Sequence, residues 1–174
     1  LNHQDTHRYS EQVLETVVAL ARACAQAGQH QQAVESYFDA LQFETLSPDQ
    51  RRTLLTEQAD SFVKIGQAQA AINAYDSAMG IEGASPLERA EIHRGLGTIY
   101  TNLGSHDRAR KHLKMVLEAV QDDRTGVTLK TLGDGYRAQG MGKEALDTYH
   151  RALNFLRRDQ FPGELAGTER ALGE

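Results

Sequence analysis

An all-α solenoid of antiparallel helix hairpins is predicted by three observations. One glycine-centred pattern recurs four times, apolar residues inside it step by three and four, and no window alternates as a strand does. Gly28, Gly66, Gly104 and Gly140 stand at intervals of 38, 38 and 36 residues. Five residues after each comes an alanine: Ala33, Ala71, Ala109 and Ala145. Nine after stand Tyr37, Tyr75, Leu113 and Tyr149, and twelve after Ala40, Ala78, Val116 and Ala152. Seven before, the residue is always tiny: Ala21, Ala59, Gly97 and Gly133. Four before stand Cys24, Phe62, Tyr100 and Tyr136, and eight before Leu20, Gln58, Leu96 and Leu132.

Each element has its own local reason. Steps of three and four place the small and bulky apolar positions on one helical stripe. The glycine tolerates positive φ and so ends the first helix of each unit, while the polar pair after it opens the second. Tiny residues let the two helix backbones approach, and the bulky residue nine after the glycine fills the space between hairpins. Ser47-Pro48-Asp49-Gln50 and Ser85-Pro86-Leu87-Glu88 each supply a hydroxyl cap, a proline whose missing N–H costs nothing, and a reciprocal Gln or Glu. The resulting helices run at about 10–27, 30–44, 48–65, 68–80, 86–103, 106–121, 124–139 and 142–158, in repeats of about 10–46, 47–84, 85–122 and 123–160. Residues 163–174 reproduce the opening of another unit, with Leu172-Gly173 in the register of Leu132-Gly133, so 161–174 reads as a half-repeat or cap helix. The expectation is one array over 1–174, and its opening on Leu1 suits a segment of something longer.

The stretch Leu132-Gly133-x-x-Tyr136-x-x-x-Gly140-x-x-x-x-Ala145-x-x-x-Tyr149-x-x-Ala152 resembles the tetratricopeptide repeat, and Leu96-Gly97-x-x-Tyr100-x-x-x-Gly104-x-x-x-x-Ala109 does so almost as fully. The resemblance covers about residues 10–158. Leu113, Val116 and Gln58 depart from the pattern, no repeat carries the tryptophan common near the start, and the period exceeds the usual 34 residues. It implies a right-handed α-solenoid of the longer-period variety, whose scaffolding and regulatory members recruit peptides.

Composition excludes several other classes. A net charge of −5 and a pI near 5.8, with Lys and Arg interspersed among Asp and Glu, give no basic face for nucleic acid. No stretch has the length of a membrane span and no secretory signal opens the chain. No compartment is written in the sequence, and the cytoplasm is the default reading. Cys24 is the one cysteine, so no internal disulfide or Cys-x-x-Cys metal pair exists, and it takes a seam position filled elsewhere by aromatics. His3 and His7 share a helix face without the glutamate of a zinc-protease motif, and they read as local polarity. His93, His106, His112 and His150 fall on different faces; His93 occupies a seam position held by Val17, Leu55 and Leu129. Gly95-x-Gly97 and Gly133-x-Gly135 follow no strand, so they mark close helix contact rather than a phosphate loop. No cofactor, metal site or catalytic set is expected.

In the family's arrangement the inner wall is made by the first helix of each unit, at ten, six, three and two residues before the glycine. These are Val18, Arg22, Ala25 and Gln26; Thr56, Asp60, Val63 and Lys64; Arg94, Thr98, Thr101 and Asn102; and Lys130, Asp134, Arg137 and Ala138. The candidate partner-binding residues among them are Arg22, Gln26, Asp60, Lys64, Arg94, Thr98, Asn102, Lys130, Asp134 and Arg137. Arg94, Lys130 and Arg137 are expected to hold carboxylates or carbonyls of an extended peptide. The lysine-and-asparagine clamp with which some relatives grip a peptide C-terminus is not reproduced, since Val18 and Arg22 stand in its first-unit places.

The expected function is a non-catalytic interaction module that holds an acidic or extended segment of a partner protein in the groove. Two alternatives stand beside it: a regulatory or sensor segment of a larger signalling or transcription-regulating protein, and a homo-oligomeric scaffold assembled through open array ends.

Overall fold

The structure, a computed structural model, describes residues 3–156 and 162–173, and side chains from residue 10 onward. His3 and His7 therefore lie outside the described side chains. Nine helices and no strand are present among the described residues. The chain divides into two compact units, Leu1–Ala84 and Ser85–Glu174.

The first unit holds α1 (His3–Gln26), α2 (His30–Leu41), α3 (Pro48–Lys64) and α4 (Ala68–Met79). Helix α1 packs on α2, α2 on α3, and α3 on α4, which makes two hairpins side by side. The second unit holds α5 (Pro86–Asn102), α6 (His106–Ala119), α7 (Thr125–Ala138), α8 (Gly142–Leu153) and α9 (Pro162–Gly173). Here too α5–α6 and α7–α8 are hairpins, with α6 against α7, and α9 lies on α8 and α7. Helix α9 is thus placed as the first helix of a further hairpin would be. Helix α1 begins at His3 rather than near residue 10, because residues 3–9 contain neither glycine nor proline to stop it.

The glycines end the helices by one recurring bond pair. Gly28, Gly66, Gly104 and Gly140 have φ of 75°, 76°, 69° and 73°. In the fourth hairpin the Gly140 N–H donates to the Arg137 carbonyl and the Met141 N–H to the Tyr136 carbonyl, both at 2.9 Å. The other three repeat this double closure of the last turn, which satisfies carbonyls the helix leaves unpaired. Both predicted capping boxes are made, Ser47 with Gln50 and Ser85 with Glu88.

Burial follows the predicted register. Ala33, Ala71, Ala109 and Ala145 are all buried, as are Tyr37, Tyr75, Leu113 and Tyr149, and Ala40, Ala78, Val116 and Ala152. The tiny position has a steric cause: a Cβ on Gly97 would lie 2.5 Å from the Leu113 side chain, and one on Gly133 would lie 2.6 Å from Tyr149. Gln58, where a leucine is usual, is buried with its amide donating to the Val34 carbonyl of α2 at 3.3 Å. Leu20 departs from the register and is 55% exposed. Arg51 binds the end of α2 through the carbonyls of Leu41 and Phe43, at 2.9 and 3.0 Å.

Candidate functional site

In the first unit, four of the predicted wall residues come together. Arg22 and Gln26 from α1 and Asp60 and Lys64 from α3 line one open recess of about 280 Å3, with Glu57 and Tyr37 between them. The spacing explains the convergence, because residues six and two before each glycine lie about one turn apart on the same helix face. The Arg22 Nε bridges both Glu57 oxygens, at 3.1 and 3.0 Å. That hydrogen bond is the main reason the guanidinium pKa rises above its ordinary value. Asp60 accepts a short hydrogen bond from the Tyr75 hydroxyl of α4. Lys64 is exposed and makes no hydrogen bond or ion pair among the described residues.

The second unit repeats this geometry with different charges. Lys130, Asp134 and Arg137 from α7 line a recess of about 300 Å3 together with Arg170 from α9. The Lys130 ammonium lies 2.8 Å from one Asp134 oxygen, and the Tyr149 hydroxyl donates to the other at 2.7 Å. Burial first, then this bond, push the Tyr149 hydroxyl up to about 12, with the Arg137 guanidinium partly offsetting them. Asp134 is thereby occupied from both sides. Three cationic side chains thus line a recess whose one lining carboxylate is already engaged.

Arg94 corrects the sequence reading. It was expected on the wall beside Lys130 and Arg137, yet it is only 4% exposed and points into the second unit. Its three nitrogens donate to Glu91 at 2.6 Å, Asp122 at 2.7 Å and the Thr128 hydroxyl at 2.9 Å, and Arg124 meets the other Glu91 oxygen at 2.6 Å. Asp122 also accepts the Arg124 backbone N–H at 3.0 Å. A carboxylate one turn earlier on α5 and another on the α6–α7 connection draw the guanidinium inward, where it ties α5 to α7. Thr98 donates back to the Arg94 carbonyl at 3.1 Å, and Asn102 is exposed at the end of α5. Neither joins a recess with Lys130 or Arg137.

The tyrosine–aspartate bonds went unread in the sequence, although a signal was present. Tyr75 with Asp60 and Tyr149 with Asp134 are each 15 residues apart, and where the third repeat has Leu113 it has Thr98. In the first repeat Arg22 takes the aspartate's place and Tyr37 sits instead beside Glu57. Burial and then that carboxylate raise the Tyr37 hydroxyl above the usual phenol range. His93 and His112, expected on different faces, meet with their Nδ1 atoms 3.1 Å apart, and Tyr100 stacks on His112. Cys24 is buried in the seam. Among the described residues no group of three or more His, Cys, Asp or Glu is placed to hold a metal ion, and no helix is long and apolar enough to cross a membrane.

Comparison with known proteins places this geometry. The family model described as tetratricopeptide repeat matches residues 88–158. No curated protein matches the chain. Among solved structures, BtubC (BKLC) from P. vanneervenii superposes with a TM-score of 0.76 at 24% identity, over 98% of this chain and 74% of that one. A Podosopora anserina putative kinesin light chain with nearly identical TPR-like repeats gives 0.71 at 21%, over 91% and 82%. The MamA protein gives 0.67 at 21%, over 86% and 75%. Residues 88–158 of the second unit thus match the tetratricopeptide repeat, and the solved structures share the fold of the chain.

Proposed function

We propose that the chain is a non-catalytic protein-interaction module whose first helices bind extended partner segments, with an acidic side chain of the partner held in the α7–α9 recess. The tetratricopeptide-repeat match over residues 88–158 supports the general role, since such repeats commonly serve as interaction scaffolds. The observation that carries the specific one is Arg170, exposed beside Lys130 and Arg137 in a recess whose one lining carboxylate, Asp134, is already engaged by Lys130 and Tyr149. Arg170 is exposed and has no ion pair among the described residues, so a carboxylate entering the recess meets a guanidinium fork with no rival. The first-unit recess is different: its acids and bases are balanced, and it offers hydrogen-bonding groups such as Gln26 and Lys64 to a peptide backbone.

The test is fluorescence anisotropy with a labelled nine-residue Glu-Gly-Ser peptide and its Gln-Gly-Ser counterpart. The acidic peptide is expected to bind more tightly. Arg137→Ala together with Arg170→Ala removes two half-exposed ionic contacts, each worth about 0.5–1 kcal/mol, so affinity falls roughly five- to thirtyfold. Raised salt weakens binding in the same direction. Equal binding of both peptides, or an acidic peptide indifferent to the double substitution, refutes the assignment.

A further inference from the structure

The first unit carries a second recess, of about 430 Å3, farther toward the N-terminal end of α1, and its lining differs in kind from both recesses above. Its floor is Leu14, Leu46 and Leu54, three buried side chains of the first-unit core. Val18, half-buried against that core, and Ala19 form the α1 side. An apolar floor open to solvent gains free energy from any apolar side chain that displaces its water.

Charge at the rim selects among such side chains. Glu15 stands on the same face of α1, one turn before Val18 and Ala19, exposed and with no hydrogen bond or ion pair among the described residues. Asp49, at the start of α3, has a side chain 78% exposed and held by the buried Arg52 alone at 2.6 Å. Arg22 lines the far end, but its guanidinium is taken by Glu57. The rim is therefore acidic, with its one lining cation spoken for.

We infer that this recess binds a partner segment presenting an aliphatic or aromatic side chain with a lysine or arginine within about one turn of it. The inference rests on the interaction-module reading and gives it a second specificity, apolar and basic where the α7–α9 recess is acidic-seeking. Here the apolar side chain enters between Val18 and Leu54, and the cation meets Glu15.

The experiment is a methyl-resolved NMR titration of the full chain with three nine-residue peptides alike except at two positions: Leu with Lys, Leu with Glu, and Ser with Lys. Shifts are expected at the Leu14, Val18, Leu46 and Leu54 methyls, saturating for the Leu–Lys peptide at a concentration several-fold below that for Leu–Glu, and absent for Ser–Lys. Glu15→Gln, an exposed change that leaves the fold intact, erases the difference between the two leucine peptides, and Val18→Glu abolishes the shifts. Equal response to both leucine peptides, shifts confined to other methyls with the Leu–Lys peptide, or no shifts at all overturns the inference. So does growth of the light-scattering mass without peptide that Val18→Glu reverses, since the occupant is then a second copy of the chain. Binding of the Glu-Gly-Ser peptide, measured on the same sample, separates the two readings: its survival leaves the interaction module standing when this recess fails.

Discussion

Replacing Arg94 by methionine separates a structural arginine from a binding one. The wild-type guanidinium makes three bonds of 2.6–2.9 Å from a site only 4% exposed, two of them to carboxylates. Removing one member of a buried ion pair costs about 3–5 kcal/mol, chiefly through the charge left behind. Here the residue left behind is Asp122, whose side chain is 18% exposed, because Glu91 keeps its bond to Arg124 and is 34% exposed. The methionine also recovers part of the buried stem's packing. Together these reduce the expected loss to about 2–4 kcal/mol, or a fall of roughly 1–3 M in the urea midpoint. With no tryptophan in the chain, far-UV circular dichroism follows unfolding, and amide hydrogen exchange assigns the loss to α5 and α7. Adding Asp122→Asn removes the orphaned charge and restores part of the stability. Unchanged stability with loss of acidic-peptide binding would refute the reasoning and return Arg94 to the wall.

Further substitutions test other parts of the fold. Gly140→Ala forces an L-residue to φ near 73° at a position with nothing within 4 Å, so its cost, about 1–2 kcal/mol in thermal denaturation, is purely conformational, and Gly140→Asn loses less. In Gly97→Ala the new methyl lies 2.5 Å from the fully buried Leu113; overpacking of about 1–3 kcal/mol outweighs a helix-propensity gain of about 1, and Leu113→Ala in the same chain relieves the clash. Burial lowers the His93 pKa, so its neutral form is favoured on folding. That contribution is complete above the unfolded value near 6.5 and is lost as pH falls through the lower folded one, so His93→Leu flattens the acid limb of a stability profile. Tyr149→Phe gives up the bond to Asp134, about 1 kcal/mol at neutral pH. Since the folded hydroxyl sits near 12 against 10.0 in the ordinary phenol, this difference fades as pH rises through that range.

The architecture was legible because the pattern that encodes it is steric and local. A glycine whose φ must be positive, an alanine where two helices touch, and a tyrosine that fills the gap between hairpins constrain one another at fixed offsets. Four repetitions make those offsets unmistakable, and the capping boxes at Ser47 and Ser85 add independent punctuation. Where the helix boundaries were missed, as at His3, no breaker exists to fix them and the stop depends on what the chain packs against.

Which residues share a helix face was legible and which of their charges are already paired was not, and electrostatics explains the difference. Counting back from a glycine finds the helix face, and Arg22, Asp60, Lys64, Lys130 and Arg137 do line recesses where the count puts them. A charge on that face, however, serves a partner only if no internal group claims it first, and claims come from residues distant in sequence: Glu57 on Arg22 from 35 positions away, Asp122 on Arg94 from 28, Tyr149 on Asp134 from 15. Arg170 lines the recess from α9, the segment that the sequence reads as a half-repeat or cap helix and for which it offers no wall residue. Once the internal claims are subtracted, the charged groups left over in these three recesses, among the described residues, are Glu15 and Lys64 in the first unit and Arg170 in the second. On the proposed function, exchanging Glu15 for Lys, or Arg170 for Glu, is expected to change which peptide binds while leaving the hairpins intact, because neither residue has an internal partner among the described residues to lose.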